Sequence, residues 1–179
     1  MKIRSGFVSN SSSSSFIVYF KEVPKSKEEL KKLLFGDRTE YHYPYGTEFF
    51  PTDVVADVVW KDMQEGPADT EKVKNEIRSG YPTATEWAIN NGLMKDMPNI
   101  SDYETKPGKK FSERFDSDAY DKALKEYYSQ FDFWVREEEI DQGKCFVFEY
   151  SDNDGTMRCA MEHGNLFENG VDSYKISKH

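Results

Sequence analysis

Residues 143–164 read Gly143-Lys144-Cys145-Phe146-Val147-Phe148-Glu149-Tyr150-Ser151-Asp152-Asn153-Asp154-Gly155-Thr156-Met157-Arg158-Cys159-Ala160-Met161-Glu162-His163-Gly164. Two runs of β-forming residues flank an Asp-Gly pair that can supply the positive φ angles of a tight turn, so the stretch predicts a β-hairpin. The first arm, 145–150, is apolar on both faces apart from Glu149 and reads as a central strand. The second, 156–162, alternates Met157, Cys159 and Met161 against Thr156, Arg158, Ala160 and Glu162, the pattern of a half-exposed arm. Working outward, Phe16-Ile17-Val18-Tyr19-Phe20 is also apolar on both faces and is the expected antiparallel neighbour of the first arm. That pairing sets the serine tract ahead of Phe16 beside the turn at 151–155.

The chain has 179 residues, enough for one domain with a core of its own. Mean hydropathy is low, −0.82, and 32% of residues are charged. Such values on their own suit a disordered chain, but 13 Phe, 11 Tyr and 3 Trp do not, and they predict a fold around an aromatic core. The net charge of −9 is uneven: residues 1–35 hold seven Lys/Arg against three Glu, which leaves about −13 on the remainder. An acidic body repels phosphate backbones, so non-specific nucleic-acid binding is not expected. An acidic face that docks on a basic protein partner is the sharper reading of the same charge.

Cys145 and Cys159 would point to opposite faces of the proposed hairpin, so no disulfide is expected between them. The apolar run 16–20 falls short of the seven residues of a signal-peptide core and of the roughly 20 of a membrane span. The expectation is a cytoplasmic protein with no membrane association, in which the sequons at Asn10 and Asn99 are incidental.

Along the chain, Pro24, Ser26 and Glu29 announce a helix with a capping box, Leu30, Leu33 and Leu34 form its stripe, and Gly36 stops it. Residues 37–50, with Tyr41, His42, Tyr43, Tyr45, Phe49 and Phe50, are too aromatic for an idle loop and predict a cover on a core edge. His42 reads there as a packed surface residue. A second helix opens at Thr52 with Val54, Val55, Val58, Val59 and Met63 inward and closes at Gly66-Pro67. A third spans 69–79 with Val73 and Ile77 inward, and a fourth runs from Thr83 through Glu86 and Trp87 to Gly92. Periodicity then fails over about 93–115, a long loop that carries Lys106, Lys109, Lys110 and Arg114. The longest helix starts near Asp116 or Ser117, sets Tyr120, Leu124, Tyr127, Tyr128, Phe131 and Val135 on one face as if to lie on a sheet, and ends at Gly143. After the hairpin, Tyr174-Lys175-Ile176-Ser177 reads as an extended tail that could add an edge strand.

Two places gather polar chemistry. Asn10, Ser11, Ser12 and Ser13 come beside Asp152, Asn153 and Asp154 at one sheet end, hydroxyls and backbone N–H groups that could hold a ligand next to two carboxylates that could hold a metal ion. Glu162 and His163, joined by His179 if the tail folds back, form a candidate acid–base group. On an extended arm the seven steps from Gly155 to Glu162 cover about 24 Å, which keeps the two places apart. An EF-hand register fails, since with Gly155 at the sixth position the first ligand would be Tyr150 and the twelfth Met161. No cofactor is expected, a divalent cation at Asp152 and Asp154 being the one exception the residues allow. The sequence contains no Walker loop, HExxH, CxxC or dinucleotide fingerprint.

The opening 6–16, Gly-Phe-Val-Ser-Asn-Ser-Ser-Ser-Ser-Ser-Phe, and the closing Glu149-Tyr150-Ser151-Asp152-Asn153-Asp154-Gly155, Glu162-His163-Gly164 and Ile176-Ser177-Lys178-His179 together resemble a group of uncharacterised proteins encoded mainly by bacteriophages and some prokaryotes. The resemblance covers the two ends only. It implies a phage origin and carries no catalytic roles.

These readings define a single α+β domain over 1–179, a small and mostly antiparallel sheet from the N-terminal strand and the C-terminal hairpin, covered by a mainly helical insertion at 37–142. Two function classes follow. One is a phage-type accessory protein whose acidic body binds a host or phage protein. The other is a small hydrolase or ligand-binding enzyme using the polar groups at the sheet ends.

Overall fold

The computed structural model describes residues 12–82, 98–104 and 115–178. Two compact units emerge: Met1–Thr83 with Glu137–His179, and Ala84–Arg136. In the first unit the elements are β1 (Ser13–Tyr19), α1 (Lys27–Phe35), β2 (Glu40–His42), β3 (Phe49–Pro51), α2 (Thr52–Met63), α3 (Thr70–Ser79) and β4 (Tyr81–Pro82), then α5 (Glu137–Asp141), β5 (Cys145–Ser151), α6 (Thr156–His163) and β6 (Asp172–Ser177). In the second, α4 (Ser117–Ser129) lies between 3-10 turns at Ile100–Tyr103 and Asp132–Trp134.

The architecture is α+β, with an antiparallel sheet in the order β4-β6-β1-β5 and a separate two-stranded sheet β2-β3. The two ends of the chain meet as expected. Ser13 pairs with Ser151 and Tyr19 with Cys145 on one side of β1, and Ser14 pairs with Ser177 and Tyr19 with Asp172 on the other. The centre is β1, not the first arm of the expected hairpin. Its residues from Ser14 onward are buried on both faces, whereas β5 lets Glu149 out and forms an edge. The tail strand β6 is likewise interior, flanked by β1 and β4.

The second hairpin arm does not exist. After a 3-10 turn at Asp152–Asp154, the chain enters α6. Ser151 Oγ accepts the Asn153 N–H at 3.2 Å, which curls the chain, and Gly155 at φ 95° redirects it into the helix. Met157, Ala160 and Met161 are spaced for one helical face as well as Met157, Cys159 and Met161 are for a strand. Ala, Met, Arg and Glu are good helix formers. Among the described residues the outer edge of β5, where the second arm would pair, carries no strand in the sheet. Helix α6 packs Ala160 and Met161 into the core instead.

That core lies on the face of β1 bearing Phe16 and Val18, together with Phe20 just after the strand, Phe146, Phe148 and Tyr150 of β5, Phe167, and the inner residues of α1, α2 and α6. Phe148 and Phe167 stack with centroids 5.0 Å apart. The helix starts are those the sequence announces. Ser26 caps α1 by accepting the Glu29 N–H at 3.2 Å while the Glu29 carboxylate accepts from Lys25 N, and Gly36 closes it at φ 59°. Asp69 caps α3, whose Val73 and Ile77 are buried. In α2, Val55, Ala56, Val59 and Met63 face inward while Val54 is exposed.

In the second unit Asp116 caps α4 by accepting the Ala119 N–H. The helix ends at Ser129 rather than continuing to Gly143, and none of its residues is buried, so the expected buried aromatic stripe is absent from it. The residues that follow, Phe131, Phe133, Trp134 and Val135, are weak helix formers. They turn instead, which buries Phe131 and Trp134 against one another with centroids 5.4 Å apart. The helix expected at 83–92 and the basic residues of the long loop lie outside the described residues. Among the described residues no helix is long and apolar enough to cross a membrane.

Candidate functional site

Because successive residues of β1 face opposite ways, the serine tract is split between two sides of the sheet. Ser12 serves the end of the strand with its backbone. Its N–H donates to Asp152 Oδ1 at 3.2 Å, and its carbonyl accepts from Ser151 Oγ at 2.9 Å and from Asp152 N at 3.3 Å. The carbonyl of Ser13 accepts the Lys178 N–H at 2.9 Å. The expected meeting of the serines with the Asp turn therefore holds for Ser12, and its means are strand-end hydrogen bonds. Asp154 is exposed. Among the described residues no group of three or more His, Cys, Asp or Glu is placed to hold a metal ion. Asn10, Ser11 and His179 lie outside the described residues.

Ser14 and Ser15 are both fully buried and point to opposite faces. Ser14 Oγ donates to Glu162 Oε1 at 3.4 Å, and Ser15 Oγ donates to Glu76 Oε2 of α3 at 2.7 Å. On the Ser15 face Lys178 Nζ bridges Glu76 at 2.9 Å and Glu149 at 3.2 Å. Burial alone would lower the Lys178 ammonium, but the hydrogen bond and charge of Glu76, with Glu149 behind it, outweigh burial and hold it above its ordinary value.

On the Ser14 face the centre is Glu162, 0% exposed. Its Oε2 has no hydrogen-bond partner among the described residues and lies 3.6 Å from His163 Nε2. Lys175 Nζ donates to the Glu162 backbone carbonyl at 2.6 Å and sits over the Phe16 ring. Burial lowers the Lys175 ammonium, and the Glu162 charge opposes that shift. The sequence reading set Glu162 and His163 far from the Asp turn. That separation is overturned: on a helix the path from Gly155 to Glu162 is about 10 Å, and the two groups bond to serines two residues apart, Asp152 to Ser12 and Glu162 to Ser14. Lys175 and Glu76 were not among the sequence candidates. Only the register of β6 and the position of α3 bring them in.

A third set of residues leads outward. Strands β2 and β3 pair through Tyr41 and Phe50, and the Tyr41 hydroxyl, buried, donates to the Ala160 carbonyl at 3.0 Å. Burial, then the charge of Glu168, pushes that hydroxyl well above the usual phenol range. Tyr41 thereby fixes the hairpin to α6, and Gly164 permits it, since a Cβ there would collide with the Tyr41 hydroxyl. The rest of the hairpin is open: Tyr45 in its turn is 73% exposed, Phe49 54% and, at the start of α2, Val54 46%. Tyr45 packs edge-on against His163 with centroids 5.3 Å apart, and Phe49 contacts the His42 ring at 6.1 Å. Glu40, Glu48 and Asp53, all exposed, belong to the same short segment. The sequence showed these aromatics but did not show which of them stay outside.

In comparisons with family models, curated proteins and solved structures, the chain finds no match.

Proposed function

We propose that the protein is a non-enzymatic binding module that presents the β2–β3 hairpin to a basic surface of a protein partner. The observation that carries this reading is the exposure of Tyr45, Phe49 and Val54 on a segment that Tyr41 anchors to the core. Exposed aromatics on a rigid support are the usual anchors of an interface, and the carboxylates around them favour a cationic partner by steering and by penalising acidic ones. The nearest thing to a catalytic pair, Ser14 with Glu162, is withheld from solvent, which supports binding over hydrolysis. The resemblance of the chain ends to phage-encoded proteins directs the search to host and virion proteins. Cys145 and Cys159 are not joined in a disulfide, which suits a reducing cytoplasm.

The test is quantitative affinity capture from host cells, comparing the wild type with Tyr45→Ala/Phe49→Ala at low and high salt. The expected result is one stoichiometric partner, depleted by the double variant and weakened by salt, with the thermal transition unchanged. Capture that the double variant leaves intact would sink the proposal.

A further inference from the structure

The two-stranded sheet has a free side with a defined polarity. Tyr43 N–H donates to Glu48 O and Thr52 N–H donates to Thr39 O, each at 3.0 Å, and Tyr41 faces Phe50 in the same register. In an antiparallel pair the residues that bond to the partner strand alternate with residues whose N–H and C=O point away. Thr39, Tyr41 and Tyr43 therefore serve β3, and the backbone groups of Glu40 and His42 point outward, with no partner among the described residues. Along this edge runs an open groove of about 450 Å³. Asn165 closes its far side, an exposed residue whose side-chain amide bonds to none of the described residues.

The groove is net acidic, two carboxylates against one guanidinium. Arg38 lines it, but its Nε and Nη2 donate to Phe35 O at 3.3 Å and Leu34 O at 3.2 Å, so its guanidinium is committed to the end of α1. Asp37 and Glu40 remain, with the His42 imidazole 3.7 Å from the Glu40 carboxylate. The side chains of Glu40 and His42 share the solvent face with Phe49, whereas Tyr41 between them faces the core.

We infer that the outer edge of β2 is a strand-pairing site for an extended partner segment with Lys or Arg at alternate positions, added antiparallel to β2. This rests on the binding-module reading and specifies how the partner is held. Residues directly opposite Glu40 and His42 exchange backbone hydrogen bonds with them and put their side chains on the acidic solvent face. The intervening residue lies opposite Tyr41 and turns its side chain toward the floor of the groove. Recognition is thus backbone pairing for affinity and alternate cations for selectivity.

The probe is the peptide acetyl-Lys-Val-Lys-Val-Lys-amide titrated into the full chain by NMR, with acetyl-Glu-Val-Glu-Val-Glu-amide as the opposite-charge arm. The lysine peptide binds and slows amide exchange at Glu40 and His42. N-methylation of the central Lys amide, which faces β2, lowers affinity about tenfold, and N-methylation of a Val amide, which faces away, costs less than about twofold. Glu40→Gln weakens the lysine peptide at an unchanged melting temperature. Absence of lysine-peptide binding, equal cost for the two methylations, or equal binding of the glutamate peptide each overturns the inference. If the peptide fails while Tyr45→Ala/Phe49→Ala still abolishes capture, the binding module stands and strand pairing falls. If capture is indifferent to that double variant, the broader reading falls by itself.

Discussion

The sheet made from the chain ends and the β2–β3 hairpin draw on similar residues, aromatics interleaved with acids and hydroxyls, and put them to opposite uses. In the main sheet Ser14 and Ser15 are buried, Ser14 held by the buried Glu162 of α6 and Ser15 by Glu76, which Lys178 bridges. In the hairpin one residue, Tyr41, is buried for attachment, and Tyr45 and Phe49 stand in water. The difference follows from strand position. A strand flanked on both edges and covered on both faces must satisfy every polar group internally, whereas a two-stranded ribbon covered on one face leaves the other face and an edge for something else. Polar residues in the first region are evidence of folding and exposed ones in the second are evidence of contact.

The largest expected effect tests the first half of this contrast. Phe148 is 2% exposed and touches the rings of Phe146, Tyr150 and Phe167. Phe148→Ala should lose about 3–5 kcal/mol in urea unfolding. A loss below about 1 kcal/mol would mean that the end-to-end sheet is not the structural centre of the chain.

Next in size is the lysine held on the Glu162 backbone carbonyl. Lys175→Met removes a charged donor from the buried Glu162 carbonyl and should cost about 2 kcal/mol. The cost depends on pH in a stated direction. Burial depresses the Lys175 ammonium below its ordinary 10.5, so between the depressed value and 10.5 the folded chain binds fewer protons than the unfolded one. The contribution of this group to stability therefore rises with pH across that window. The variant lacks that rise, and its deficit relative to wild type should widen as pH increases toward 10.5. A deficit that narrows would contradict the burial of Lys175.

Much of this framework is legible before any coordinates, for physical reasons that differ by element. The pairing of β1 with β5 follows from two runs that are apolar on both faces and therefore need each other, and the starts of α1, α3 and α4 follow from Ser26, Asp69 and Asp116, whose side chains have a local hydrogen bond to make. Residues 156–163 are different, because their apolar positions satisfy both a period of two and a helical face. In the fold the helical face wins and packs Ala160 and Met161 into the core with Phe146, Phe148 and Tyr150, a non-local fact. The error propagated: an extended arm carried Glu162 far from the serines, while the helix delivers it to Ser14. Lys175 and Glu76 could not be named because they enter through register and helix placement. The exposure of Tyr45 and Phe49 depends on which face of a short ribbon meets the core, and six aromatics within ten residues do not encode that choice.

A smaller effect belongs to the strand end. Asp152→Ala removes the acceptor for the Ser12 N–H while Ser151 Oγ and Asp152 N still reach the Ser12 carbonyl, so the loss should be about 1 kcal/mol. Because this carboxylate acts as a strand-end acceptor, Asp152→Asn, which keeps an oxygen in place, should recover most of the loss in the same unfolding assay. Failure of Asn to recover it would point to a role for the charge itself.

The smallest effect is the one on which the contrast turns. Phe49→Ala forfeits its ring contact with His42 on the open side of the ribbon, and Tyr45→Ala its contact with His163 at the end of α6. Neither should change unfolding free energy by more than about 0.5 kcal/mol, because truncating a side chain that already faces water removes little buried area and leaves no cavity. Tyr41→Phe supplies the internal control: its hydroxyl is buried on the Ala160 carbonyl, and removing it should cost about 1–2 kcal/mol at a position only four residues from Tyr45. If Tyr45→Ala and Phe49→Ala cost as much as Tyr41→Phe, the aromatics are part of the core and the hairpin presents nothing. If they cost nothing and Tyr41→Phe does, the same short ribbon is shown to hold on with one face and to offer the other.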